Sequence, residues 1–94
     1  MKLQQLIYAV KVAECGSITE ASRKLFVSQP SITAAISDLE KEMDVRIFDR
    51  TNKGVTVSEE GETFLGYARQ VLEQADLLEQ QYKFGTPVRR VFAL

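Results

Sequence analysis

Apolar residues near the start of the chain recur at three- and four-residue steps: Leu3, Leu6, Ile7, Val10 and Ala13. That stripe predicts an amphipathic helix over about 3–15, closed by Gly16, which can adopt the left-handed conformation of a helix C-terminus. Ser17 opens the next segment with Glu20 three residues on, the capping-box spacing in which hydroxyl and carboxylate each receive a free backbone N–H. The helix it starts is short, about 18–25, because Phe26 and Val27 interrupt it before Ser28 offers a second N-cap. Pro30 suits the first turn of the helix that follows, where its missing N–H leaves no intrahelical bond unmade. Ile32, Ile36, Leu39 and Met43 give this third helix its buried stripe, while Ser31, Thr33, Ala34, Ala35 and Ser37 form a face of small residues.

Asp44 ends the third helix, and the pattern changes period. Val45, Ile47 and Phe48, the turn cluster Thr51-Asn52-Lys53-Gly54, and Val55-Thr56-Val57 predict a β-hairpin over residues 46–57. Ser58 caps a long helix whose first turn carries Glu59, Glu60 and Glu62, matched to the positive end of the helix dipole. Nothing stops it before residue 84 or so, Gly61 and Gly66 being tolerated, and it should run for roughly 39 Å at 1.5 Å per residue. Phe64, Ala68, Val71, Ala75, Leu78 and Tyr82 step along it by alternating fours and threes, the spacing of a coiled-coil seam, with Leu65, Leu72 and Leu77 as a second flank. A rod of this length overhangs a body of about 60 residues, so one flank is expected to return to the core and the other to meet a partner helix. Gly85-Thr86-Pro87 ends the helix, and Val88 to Leu94 reads as a lone strand, as expected of a chain cut from something longer.

Composition narrows the chemistry. With 45% apolar and 27% charged residues the chain has the balance of a small globular domain. One core is the most it can hold, and a domain this small gains from a partner subunit. Charges break every apolar stretch well short of the roughly 20 residues needed to cross a bilayer, so no membrane span is expected and a cytoplasmic protein is. Cys15 is the single cysteine and there is no histidine, which excludes an internal disulfide, the usual zinc sites and Ser-His or Cys-His nucleophiles. No catalytic residue, metal or cofactor is expected. The net charge of −1 is unusual for a nucleic-acid binder. Residues 1–58 carry 8 Lys/Arg against 7 acids, but Arg23, Lys24, Arg50 and Lys53 gather around the short helices and the hairpin.

Two helices joined by a few residues, the second capped and carrying a small polar outer face, have the layout of a helix-turn-helix. In such a motif the start of the second helix meets base edges in the major groove. Ser28 and Gln29 stand at that start. Gln29 can pair with adenine at two points, Ser31 and Thr33 can donate or accept, and the methyl groups of Ala34 and Ala35 can touch thymine. Pro30 and the capped helix start can equally be structural, and Ser31, Thr33 and Ser37 merely solvated. Against solvation, an exposed helix face usually carries Glu, Lys or Arg, which form helix better than Ser or Thr. Small residues give clearance, for DNA or for a protein docked in a groove. The hairpin then serves as a wing, with Lys53 at its tip and Arg50 at its base able to reach phosphates or the minor groove. A salt bridge from Arg50 to Asp49 or Glu40 is the alternative for that residue.

The stretch AECGSITEASRKLFVSQPSITAAISDLEKEMDVRIFDRTNKGVTVSEEGETFL resembles the N-terminal domain of LysR-type transcriptional regulators, and the resemblance covers residues 1 to about 84. It implies a mainly α fold with a small β-hairpin: a winged helix-turn-helix over 1–58, with the motif at about 18–37 and the wing at about 46–57, then a linker (dimerisation) helix over 59–84. Residues 85–94 would be the hinge and first strand of an effector-binding domain absent from this chain, the only part expected to meet a small-molecule effector. The family resemblance further implies a homodimer through the linker helix, usually paired into a tetramer, bound to double-stranded DNA at an interrupted inverted repeat. The positions matching Gln29, Pro30, Ser31, Thr33 and Ala34 meet DNA in that family, and the position matching Lys53 enters the minor groove. Ala34 and Ala35 stand where the family commonly has Arg and often Gln. Specificity is therefore expected to shift to Gln29, Thr33, methyl contacts or DNA shape. Lys53 replaces the more frequent Arg, keeping charge without the planar fork.

Overall fold

A computed structural model describes residues 1–83 of the chain. Its elements follow in the order α1 (Leu3–Cys15), α2 (Ile18–Leu25), α3 (Gln29–Met43), β1 (Phe48–Thr51), β2 (Gly54–Val57) and α4 (Glu59–Lys83). The hinge and strand expected over 85–94 lie outside the described residues. α1 is the centre of the fold: α2, α3, α4 and β2 all pack against it. Leu6, Val12, Ile32, Leu39, Ile47 and Leu65 are the largest fully buried side chains, so every helix but the short α2 contributes one, and α2 adds Ala21. The buried face of α1 is Gln5, Leu6, Tyr8, Ala9 and Val12. The stripe expected from spacing is thus turned, and Leu3 and Ile7 are exposed on a second apolar side.

The helix ends follow their caps. Gly16 (φ 65°) ends α1 by donating its N–H to the Val12 carbonyl at 2.8 Å. Ser17 Oγ accepts from the Glu20 N–H at 3.1 Å, but the Glu20 carboxylate receives Arg23 Nη1 at 2.9 Å, so only half of the expected capping box forms. α2 ends at Phe26, a left-handed residue (φ 57°) that is 94% exposed. α3 buries Ile32, Ile36 and Leu39 and ends on left-handed Asp44. Met43, expected in that stripe, is exposed, because the helix runs past the edge of the core at its last turn.

The hairpin is antiparallel with Phe48 opposite Val57, Asp49 opposite Thr56, Arg50 opposite Val55 and Thr51 opposite Gly54. It begins at Phe48 rather than at 46, because side chains take the amides ahead of it: Glu60 accepts from Arg46 N–H at 2.9 Å and Glu40 from Ile47 N–H at 2.8 Å. Gly54 supplies the positive φ (132°) that closes the two-residue loop of Asn52 and Lys53. Ser58 caps α4, accepting from the Gly61 N–H at 2.8 Å and donating to the Arg46 carbonyl. The first turn of α4 lies directly on the segment before the wing, where a Cβ on Gly61 would come within 2.1 Å of the Ile47 carbonyl oxygen. Gly61, which spacing alone reads as tolerated, is therefore required.

Candidate nucleic-acid interface

The start of α3 is held by its own side chains. Ser28 Oγ accepts from the Ser31 N–H at 3.2 Å and donates to Ser31 Oγ at 2.8 Å, which fixes the N-cap and leaves the Ser31 hydroxyl proton able to donate outwards. Gln29, Pro30, Thr33, Ala34 and Ser37 line one open depression on the outer face of the helix. Their spacing places them on adjacent turns, and the short side chains of Thr33, Ala34 and Ser37 let a ligand approach the helix axis. Ala35 does not share this face: it is half-buried against the core, one helical turn from Ile32, and cannot offer its methyl group to a base. Ser37 lines the depression as well, although the sequence marks it only as part of a small-residue face. Its place four residues after Thr33 was the available signal.

A second, more polar notch adjoins the first at Ser37 and is lined by Glu40, Lys41, Asp44, Val45, Arg46, Phe48, Arg50 and Glu60 as well. Arg50 shares the inner face of the hairpin with Phe48, since strand side chains alternate, but lies past the core and is exposed. The salt bridge considered for it does not form among the described residues: the Glu40 carboxylate oxygen accepts from the Ile47 and Phe48 amides at 2.8 and 3.3 Å instead. Lys53 stands on the exposed turn, its own N–H held by Thr51 Oγ1 at 3.2 Å. Arg23 is paired with Glu20 at the surface, a contact worth at most about 1 kcal/mol and easily exchanged for a phosphate. The structure therefore joins Gln29, Pro30, Thr33, Ala34, Ser37 and Arg50 into one continuous surface, sets Ser28 and Ser31 at its upper edge, and carries Lys53 on a separate projection.

The seam of α4 divides. Ala68 is 3% exposed in the core and Phe64 is half-buried against it, so these two expected seam positions face the chain's own body. A straight helix drifts by about 20° per heptad from a strict seam, and here the first turns are committed to the core. Beyond them Val71 is exposed and Ala75 half-buried, while Leu78 and Tyr82 are 61% and 62% exposed. Leu77, placed on the inward flank by spacing, is exposed too.

Among the described residues no group of three or more His, Cys, Asp or Glu side chains converges on a possible metal position, and no helix is long and apolar enough to cross a membrane. A capped recognition helix, a wing beside it and a long helix leaving the body define a winged helix-turn-helix DNA-binding domain. The chain belongs to the bacterial regulatory helix-turn-helix proteins of the lysR family, whose family model matches residues 3–62. It is a DNA-binding domain of a transcriptional regulator. It is 43% identical over 77 residues to the HTH-type transcriptional regulator ClcR of Pseudomonas putida, covering 82% of this chain and 26% of ClcR. It is 38% identical to the nitrogen assimilation regulatory protein nac of Klebsiella aerogenes, covering 81% of this chain and 25% of that protein. The chain thus spans about a quarter of the length of these relatives. Among solved structures it resembles the BenM_DBD/catB site 1 DNA complex, with TM-score 0.84, 34% identity, and coverage of 88% of this chain and 93% of that one. The CbnR_DBD-DNA complex is similar at TM-score 0.83 and 35% identity, with 88% of this chain and 95% of the other covered.

Proposed function

We propose that the chain binds double-stranded DNA sequence-specifically as a homodimer, with α3 in the major groove and the hairpin in the adjacent minor groove. The observation that carries this reading is the continuous surface from Gln29 to Arg50, in which a depression floored by small residues meets a cation at the wing base. Gln29 and Thr33 would read base edges, the Ala34 methyl would meet thymine, and Ser28, Ser31, Arg50 and Lys53 would hold phosphates or sugars. The near-neutral charge of residues 1–58 makes non-specific attraction weak, so more of the affinity must come from fitted contacts.

Val71, Ala75, Leu78 and Tyr82 form the dimer contact in this reading, the two α4 helices running antiparallel. Residues 1–58 act as the DNA-binding unit and 59–84 as the dimerisation helix. The residues after 84 lead to an effector-binding domain in the longer protein, through which a small molecule governs transcription and two dimers pair into a tetramer. The test is selection from a random pool of duplex DNA by the purified chain. Enrichment of an interrupted inverted repeat supports a two-fold dimer reading sequence and gives the half-site spacing. Failure to enrich any sequence, by protein shown to be folded and dimeric, would overturn it in favour of a protein-docking role for the α3 depression.

A further inference from the structure

Glu40 is on the recognition helix but outside the depression of Gln29 to Ser37, and lines the adjoining notch beside Arg50. Its carboxylate reaches seven and eight residues ahead to accept the N–H groups of Ile47 and Phe48, at 2.8 and 3.3 Å. Phe48 is the first residue of the wing and pairs with Val57 at its base. Hydrogen bonds to an ionised acceptor are stronger than neutral ones, and here one oxygen holds two successive amides. The hairpin's broad packing is against α1, through β2, rather than against α3. From the other side α4 holds the same short segment: Glu60 accepts from Arg46 N–H at 2.9 Å, and Ser58 N–H donates to the Ile47 carbonyl at 2.9 Å.

We infer that Glu40 is a positioning residue that sets the wing against the recognition helix, so that the grip of Lys53 on DNA depends on a carboxylate bound to the backbone at the base of the wing. The inference rests on the reading of α3 and the hairpin as the DNA-facing elements. It carries a sign that distinguishes it from simple electrostatics. Removing an acidic side chain from a DNA-binding surface ordinarily strengthens binding by relieving repulsion of the phosphates. Removing Glu40 weakens binding, because the wing loses its fixed angle.

The experiment is a double-mutant cycle on the full chain, with affinity for a selected duplex measured across salt concentrations. Lys53→Ala lowers the steepness of the salt dependence by about 0.9, the value of one phosphate contact. Glu40→Ala weakens binding about 3-fold or more, and Lys53→Ala adds little in its presence, because the two act through one device. Glu40→Gln, which keeps an acceptor oxygen, restores binding part of the way. Additive losses, or tighter binding by Glu40→Ala, would overturn the inference. A measurement without DNA separates it from the functional reading: residual dipolar couplings give the orientation of the hairpin relative to α3 in wild type and in Glu40→Ala, which removes the acceptor of both amides. A changed orientation with α1–α3 unaltered supports the role of Glu40 even if Lys53→Ala proves silent on DNA, which would sink only the wing contact. An unchanged orientation overturns it.

Discussion

α3 and α4 are both amphipathic and both bury one face in the same core, but they leave opposite things exposed. The outer face of α3 presents Gln29, Pro30, Thr33, Ala34 and Ser37, small or polar groups that let another surface come close. The far half of α4 presents Val71, Leu77, Leu78 and Tyr82, bulky apolar groups in water. The first arrangement suits a rigid polar ligand whose edges are read by hydrogen bonds. The second suits a surface that gains free energy by leaving water, at about 25 cal/mol per Å². In the proposed function one domain therefore carries two docking faces of different physics, and each can be altered without the other.

The strongest way to break the comparison is to damage the joint between the two helices. Gly61→Ala places a methyl against the Ile47 carbonyl where no side chain can yield. It should destabilise the fold by about 3 kcal/mol or more in chemical denaturation, the range of severe overpacking. Next in size is Leu78→Glu. It leaves monomer stability within about 0.5 kcal/mol, as exposed substitutions do, but puts a charge into the proposed dimer contact. Sedimentation equilibrium should show a dissociation constant raised at least about tenfold, since burying an unpaired charge costs several kcal/mol; an unchanged association would remove Leu78 from the interface.

Gln29→Ala sharpens the contrast from the other side. It should lower discrimination between duplex sequences by about 1–3 kcal/mol while leaving sedimentation unaltered. Equal affinity of the variant and wild type for every duplex would show that α3 is not the reading element. The smallest effect is expected at the turn between α2 and α3, which belongs to neither face. Phe26 adopts a left-handed conformation and buries almost nothing, so Phe26→Gly should raise stability by about 1 kcal/mol in thermal unfolding.

Much of this was legible in order because it is local. Gly16, Ser17, Ser28 and Ser58 mark helix ends through bonds to residues three or four positions away, and each helix begins or ends where those residues predict. What escaped is non-local. From the sequence Glu40 enters only as one of two alternative partners, with Asp49, for Arg50; its partners in the fold are backbone amides, which look alike in every residue. Gly61 read as tolerated because its necessity lies in Ile47, fourteen residues earlier. Ala35 and Ala68 read as outward-facing because a small apolar residue is compatible with either side of a helix, and only the placement of α1 decides. On the candidate site, Gln29 to Ala34 were legible from the motif, whereas the addition of Ser37 and the freedom of Arg50 required the fold.

The division of α4 has a consequence for how the protein assembles. The residues of α4 that pack on the core run as far as Leu72, and the eleven that follow, 73–83, carry the helix on beyond it. A helix of that length is short of the roughly 12–15 residues at which isolated helices become even marginal in water. Its last turns are therefore on loan from the packed half, and a second copy would make them permanent. In the proposed dimer, dilution would then shorten the rod as well as separate the subunits, so that association and the ordering of the last turns of α4 would be one event.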